Sequence, residues 1–210
     1  TALVVNTFAI WKKDNNLEHL RINNLNDFYN IEFESKLYNG IGTPPNLDIA
    51  LENPNTILAI ESKFLEPLEK KSKSEKSFSD SYFKNEDHRS FSKWYKLMKN
   101  IRNNQIEFKY LNAVQLLKHF YGICYENNNK NKILMYLYWE PKNLKNESPY
   151  DVHREEISLF KTLVKEDDLL DFEVMTYQEL WTYWKNNINS KKIINYIEKL
   201  ENHYSLKENH

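Results

Sequence analysis

The sequence predicts a mixed α/β fold: a central β-sheet flanked by α-helices, with residues 1–210 forming a single domain. Three observations carry this. The patterned segments run strand, strand, helix, strand, helix, strand, helix, an order that suits a sheet with helices packed on it. The run Ile133–Glu140 (ILMYLYWE) is apolar without alternation, as a strand buried on both faces should be. A chain of 210 residues is long enough for one core and does not require two domains.

Thr1–Lys13 reads as a packed helix, with Leu3, Val4, Thr7, Phe8 and Trp11 at helical spacing. Leu25–Tyr38 is ambiguous. Ile31 and Phe33 alternate with Glu32 and Glu34 as in a strand, yet Tyr29, Phe33 and Leu37 also suit a helix. Gly40–Pro45 is a loop. Asn46–Glu52 (NLDIALE) and Ile57–Phe64 (ILAIESKF) are strands joined by Asn53-Pro54-Asn55-Thr56. Glu66–Asp87 is polar and rich in Ser and Lys, and reads as a long loop or mobile flap, a feature that is often functional. Arg89–Arg102 is a helix with Phe91, Trp94, Tyr95, Met98 and Ile101 on one side. Asn112–Tyr121 is a second, with Val114, Leu117 and Tyr121 inward. Val152–Val164, Tyr177–Asn186 and Lys191–Tyr204 are helices, and Phe172–Thr176 is a strand.

Composition excludes several classes. No apolar run reaches the roughly 18 residues that span a bilayer. No basic-then-apolar segment opens the chain, so the expectation is a cytoplasmic protein without a membrane partner. The lone Cys124 excludes an internal disulfide and a cysteine-rich zinc site. Basic and acidic residues nearly cancel, 29 against 30, so net charge does not point to nucleic acid. The middle of the chain is nonetheless basic, from Lys63 through Lys70, Lys71, Lys73, Lys76, Arg89 and Arg102 to Lys109. Such a face can hold a phosphate backbone, although lysine-rich stretches are more often solvated surface.

The hairpin is the strongest chemical feature. If Glu52 and Ile57 close a four-residue loop, Asp48 falls opposite Glu61. Opposed residues share a face, as do residues two apart on one strand, so Lys63 joins them. Ala50 and Ala59 oppose each other there and are expected to leave open space beside the carboxylates. Leu47, Ile49, Leu51, Leu58 and Ile60 form the other, core face, which opposes a register slip. A plain surface salt bridge between Glu61 and Lys63 would not explain acids at matched register inside two apolar strands.

Pro45-Asn46-Leu47-Asp48 followed by Glu61-Ser62-Lys63 resembles the active-site signature of the PD-(D/E)XK nuclease superfamily, with the proline displaced from the aspartate. The wider run Gly42–Asp48 with Ile60–Phe64, and Gln115-Leu116-Leu117-Lys118-His119 on a later helix, is similar to restriction-endonuclease-like bacterial proteins. The resemblance implies a restriction-endonuclease-like mixed sheet acting on DNA. It implies Mg²⁺, with Mn²⁺ able to substitute, held by Asp48, Glu61 and the Ser62 carbonyl. Catalysis would fall to Asp48, Glu61 and Lys63, with Glu34 as a further acid and Gln115 or Lys118 on a water or phosphate. A homodimer is expected, because cutting both strands needs two sites.

The residue types suit that chemistry. Mg²⁺ takes one or two carboxylates and keeps several waters; it acidifies bound water and withdraws charge from a phosphoryl group. Lys63 would hold the attacking water, stabilise the phosphoryl oxygens or serve as a base, and the sequence leaves these roles open. Alanine at Asp48 or Lys63 is expected to abolish cleavage while leaving folding nearly intact. Glu32 competes with Glu34. His119 reads as a surface or half-buried histidine rather than a catalyst, and His88 and His153 lack partners at useful spacing. Trp94, Trp139, Trp181 and Trp184 read as core. The preferred reading is a metal-dependent DNA endonuclease. Its rivals are a structure-specific or repair nuclease on the same site, and a non-catalytic nucleic-acid-binding module that keeps the fold.

Overall fold

A computed structural model describes residues 2–13, 17–41, 43–71, 77–84, 86–125, 129–140 and 149–204. Five strands form one sheet in chain order: β1 (Asn30–Lys36), β2 (Asn46–Glu52), β3 (Thr56–Lys63), β4 (Asn131–Tyr138) and β5 (Asp171–Thr176). β1, β2 and β3 pair antiparallel, while β3–β4 and β4–β5 are parallel. The hairpin has the register read from the sequence from Glu52 against Ile57 through Ala50 against Ala59 to Ile49 against Ile60, but the pairing ends there, and the expected Asp48–Glu61 pair does not form. The segment around β1 resolves as a strand, and Tyr29, which a helix would have turned inward, is exposed.

Helices cover both faces. α1 (Ala2–Lys13), α5 (Tyr177–Asn187) and α6 (Lys191–Tyr204) pack on Ile49, Leu51, Leu58, Ile60, Met135 and Leu137. α2 (Lys93–Arg102), α3 (Ala113–Ile123) and α4 (Pro149–Val164) pack on Ala59, Leu134, Tyr136 and Phe172. Each fully buried Leu, Ile or Phe contributes about 1.5–3 kcal/mol, so β3 and β4, sandwiched between two cores, are the most firmly held strands. Trp94, Trp139, Trp181 and Trp184 are buried in these cores.

Covering both faces overturns one expectation. Ala59 is fully buried, so the alanine pair opens no space beside the carboxylates. Phe91 is a second correction. It precedes α2 in a short 3₁₀ turn and is 89 % exposed, because Ser92 caps the helix by accepting the Tyr95 amide and starts it later. Of the basic stretch, Lys73 and Lys76 lie outside the described residues. Arg89 is buried, paired with Asp87 and donating to the Tyr121 carbonyl, so it serves the fold rather than a phosphate. The polar segment after β3 has Pro67 and Tyr82 buried, and the Lys71 amide donates to the Lys109 carbonyl; residues 72–76 and 85 lie outside the described residues.

Within the described strands one residue, Glu34 of β1, has a left-handed backbone, φ 52°, which costs a non-glycine residue about 1–2 kcal/mol. It stands between the pairs Phe33–Ile49 and Ser35–Leu47, hence across from Asp48. This kink inverts the side-chain alternation of both strands. Ser35 Oγ donates to Glu32 Oε2 at 2.9 Å, although the two should lie on opposite faces. Leu47 joins the core under α2, α3 and α4, whereas Ile49 joins the other. Leu47 and Ile49 therefore do not share a face, as a regular strand would require.

α3 is placed by two anchors. The Asn112 side chain caps it by accepting the Gln115 amide at 3.1 Å. Glu156 of α4 accepts the amides of Lys109, Tyr110 and Leu111 at 2.6, 2.9 and 2.8 Å, fixing the segment that leads into the helix. At its far end Gly122 permits close approach: a Cβ there would stand 2.6 Å from Leu37 Cβ.

Candidate active site

The β2–β3 ladder stops at the Ile49–Ile60 pair. Beyond it the Ser62 amide donates to Asp48 Oδ2 at 2.8 Å. Backbone groups of successive residues on a strand face opposite neighbours. The Lys63 carbonyl accepts from Trp139 on the β4 side, so the Ser62 amide and carbonyl face β2. A carboxylate and a main-chain carbonyl thus lie toward the same edge of β3. The Ser62 hydroxyl turns to the other face, 2.6 Å from the hydroxyl of buried Tyr177.

Glu61 and Lys63 point under α3. Lys63 Nζ donates to Glu61 Oε1 at 2.5 Å and to Gln115 Oε1 at 3.0 Å. His119 Nε2 is 2.7 Å from Glu61 Oε2. Glu61 is 1 % exposed and both its oxygens are engaged. A cation binding Glu61 must therefore compete with Lys63 or His119. Among the described residues no three His, Cys, Asp or Glu side chains form a ready metal cluster. Any ion would rest on two carboxylates and main-chain oxygen.

The charges are coupled. Burial, then the charge of Glu61, pushes the half-buried Asp48 carboxyl up, against the pull of the Ser62 amide and Lys63. Burial would raise Glu61 too, but His119 and then Lys63 more than offset it and hold the carboxyl below its ordinary range. Burial would lower Lys63, yet Glu61, Asp48 and Glu66 hold it above the usual lysine value, so it is an ammonium.

The sequence named Asp48, Glu61, Ser62, Lys63 and Gln115, and these adjoin one another. Glu34 is exposed across the kink from Asp48, and Glu32 is bonded to Ser35. Lys118 is half-buried on α3, with no ion-pair partner among the described residues; burial lowers its pKa. His119 is a correction: it is wholly buried against Glu61, not a surface residue. Its i, i+4 spacing from Gln115 was the signal that could have found it. Glu66 was also missed; its carboxylate accepts the Phe64 amide at 2.7 Å, just past Lys63. His88 does have a partner, the Cys124 carbonyl at 2.8 Å, and His153 bonds the Tyr136 hydroxyl at 2.9 Å. Burial drives His153 down to about 3, so it is a neutral core group.

An open mixed five-stranded sheet with helices on both faces fits a restriction-endonuclease-like class of fold. The family comparison agrees. Residues 1–205 match the family described as "Restriction Endonuclease associating with ARP", and the chain belongs to that family. Neither the search of curated proteins nor that of solved structures returned a match. No described helix is long and apolar enough to cross a membrane.

Proposed function

We propose that this chain is a metal-dependent DNA endonuclease of the PD-(D/E)XK type, working in the cytoplasm as a homodimer. The observation that carries this reading is the Asp48–Ser62 hydrogen bond, which brings one carboxylate to the strand bearing Glu61 and Lys63. The donor set fits Mg²⁺, which prefers hard oxygens and retains waters. The repulsion that raises Asp48 is also what a cation would relieve. Asp48, Glu61 and the Ser62 carbonyl would hold the ion, with Mn²⁺ a substitute. Bound there, it would supply Lewis acidity to a water and to the phosphoryl oxygens.

The chain's own groups do the rest. Lys63, protonated and with two of its three donors on Glu61 and Gln115, offers the third to a phosphoryl oxygen or to the attacking water. Lys118 offers an ammonium to a phosphate. Glu34, across from Asp48, adds a further acid beside the site. We extend to this chain the association with ARP that the family description names.

The test is cleavage of supercoiled plasmid in Mg²⁺ or Mn²⁺ by the wild type and Asp48→Asn. Metal-dependent nicking that Asp48→Asn lacks supports the reading, and equal nicking by both overturns it. Discrete fragments indicate sequence recognition, whereas cutting confined to flaps or junctions indicates a structure-specific nuclease. The engagement of both Glu61 oxygens favours a second reading, a non-catalytic DNA-binding module. DNA binding without metal uptake would establish that one instead.

A further inference from the structure

One polar contact beneath α3 has no part in the reaction as proposed. His119 is wholly buried, and its Nε2 meets Glu61 Oε2 at 2.7 Å. An ionised carboxylate only accepts, so Nε2 donates. Lys63 reaches the other oxygen, Oε1. His119 Nδ1 has no hydrogen-bond partner among the described residues, so the polar contact of the ring goes to Glu61 alone. A buried ring with one nitrogen unpartnered is a costlier filler than leucine; packing by itself does not account for it. The terminal torsion of a glutamate is broad, and a donor on one oxygen removes that freedom.

We propose that His119 is a positioning residue for Glu61: by holding Oε2 it leaves Oε1 as the single oxygen presented to Lys63 and to a divalent cation. This deepens the nuclease reading and rests on it. Gln115 and His119, one helical turn apart, then divide the work, the first orienting the ammonium and the second the carboxylate.

The experiment is calorimetric titration of Mn²⁺ into the wild type, His119→Gln, His119→Asn, His119→Leu and Asp48→Asn, with thermal unfolding of each metal-free protein. The glutamine amide reaches about as far as Nε2 and also donates; asparagine falls short and leucine cannot donate. His119→Gln should bind within about threefold of wild type, while His119→Asn and His119→Leu weaken binding about 10–100-fold, the usual loss for a partner that orients a metal ligand. Wild-type affinity in a folded His119→Leu overturns the inference. So does weak binding by a His119→Gln as stable as the wild type. If His119→Leu fails to fold, the contrast between His119→Gln and His119→Asn decides in the same way. No Mn²⁺ uptake by the wild type, or equal uptake by Asp48→Asn, overturns the metal site itself, and this inference with it.

Discussion

The Asp48 carboxylate accepts the Ser62 amide at 2.8 Å, in the place where an unbroken β2–β3 ladder would offer a backbone carbonyl. A side chain that takes over a main-chain hydrogen bond is held as firmly as the sheet. The same substitution keeps the Ser62 carbonyl on that edge. Precision at Asp48 therefore comes from a break in regular structure, with the left-handed Glu34 across from it.

Asp48→Asn should separate stability from function. The folded-state pKa of Asp48 lies above its ordinary 3.8, so folding favours the protonated form. The stability it contributes is present below 3.8 and is lost as pH rises through the raised value. Asparagine keeps an acceptor for the Ser62 amide without the charge. The variant should melt at or above the wild-type temperature at pH 7, and the difference should vanish near pH 3. Its nicking activity should fall more than about 100-fold. Calorimetric melts across pH and a plasmid assay check both halves.

Lys63→Met is expected to cost folding as well as activity, contrary to the expectation from sequence. Glu61 is 1 % exposed, and removing Lys63 leaves Oε1 without its partner. Breaking a buried ion pair from one side costs about 3 kcal/mol. Glu61→Gln combined with Lys63→Met should recover part of that loss, as read by urea denaturation. Because the Glu61 carboxyl is held below its ordinary 4.5, its stabilisation is present above that pH and disappears as pH falls through the lowered value.

Glu156→Ala should loosen α3 from a distance. Its carboxylate takes three successive amides ahead of the helix. Leaving them unpaired is expected to cost about 3 kcal/mol. Since α3 carries Gln115 and His119, Mn²⁺ affinity should weaken too, although Glu156 lies outside the site. Urea denaturation and metal titration on the same protein test the pair of effects.

Lys118→Ala should leave folding intact, because the half-buried ammonium has no ion-pair partner among the described residues to lose. If it holds a phosphate, DNA affinity falls and the slope of log affinity against log salt shrinks by about 1. An unchanged slope would remove Lys118 from the DNA interface.

The hairpin was readable because its signal is local. Alternating apolar residues across a four-residue loop permit one register, and the pairing of Ala50 with Ala59 follows from it. Ile133–Glu140 declared a doubly covered strand for the same reason. The segment 25–38 was not readable, since Phe33 satisfies both periods and only pairing with β2 selects the strand. Leu47 misled because alternation holds only in a regular strand, and the kink at Glu34 leaves no mark in residue type.

The sequence by itself determined the fold class and the hairpin register through Ile49–Ile60, and it put Asp48, Glu61 and Lys63 at neighbouring positions; Gln115 came from the family resemblance. Periodicity and spacing along one strand or helix are short-range properties, so residue order encodes them directly. Tertiary structure alone decided that a second core covers the face bearing Glu61, and that Glu61 lies between Lys63 and His119. Those facts depend on how α3 settles on the sheet. Packing brings together residues that are 58 positions apart in the chain, and no local pattern records such a meeting.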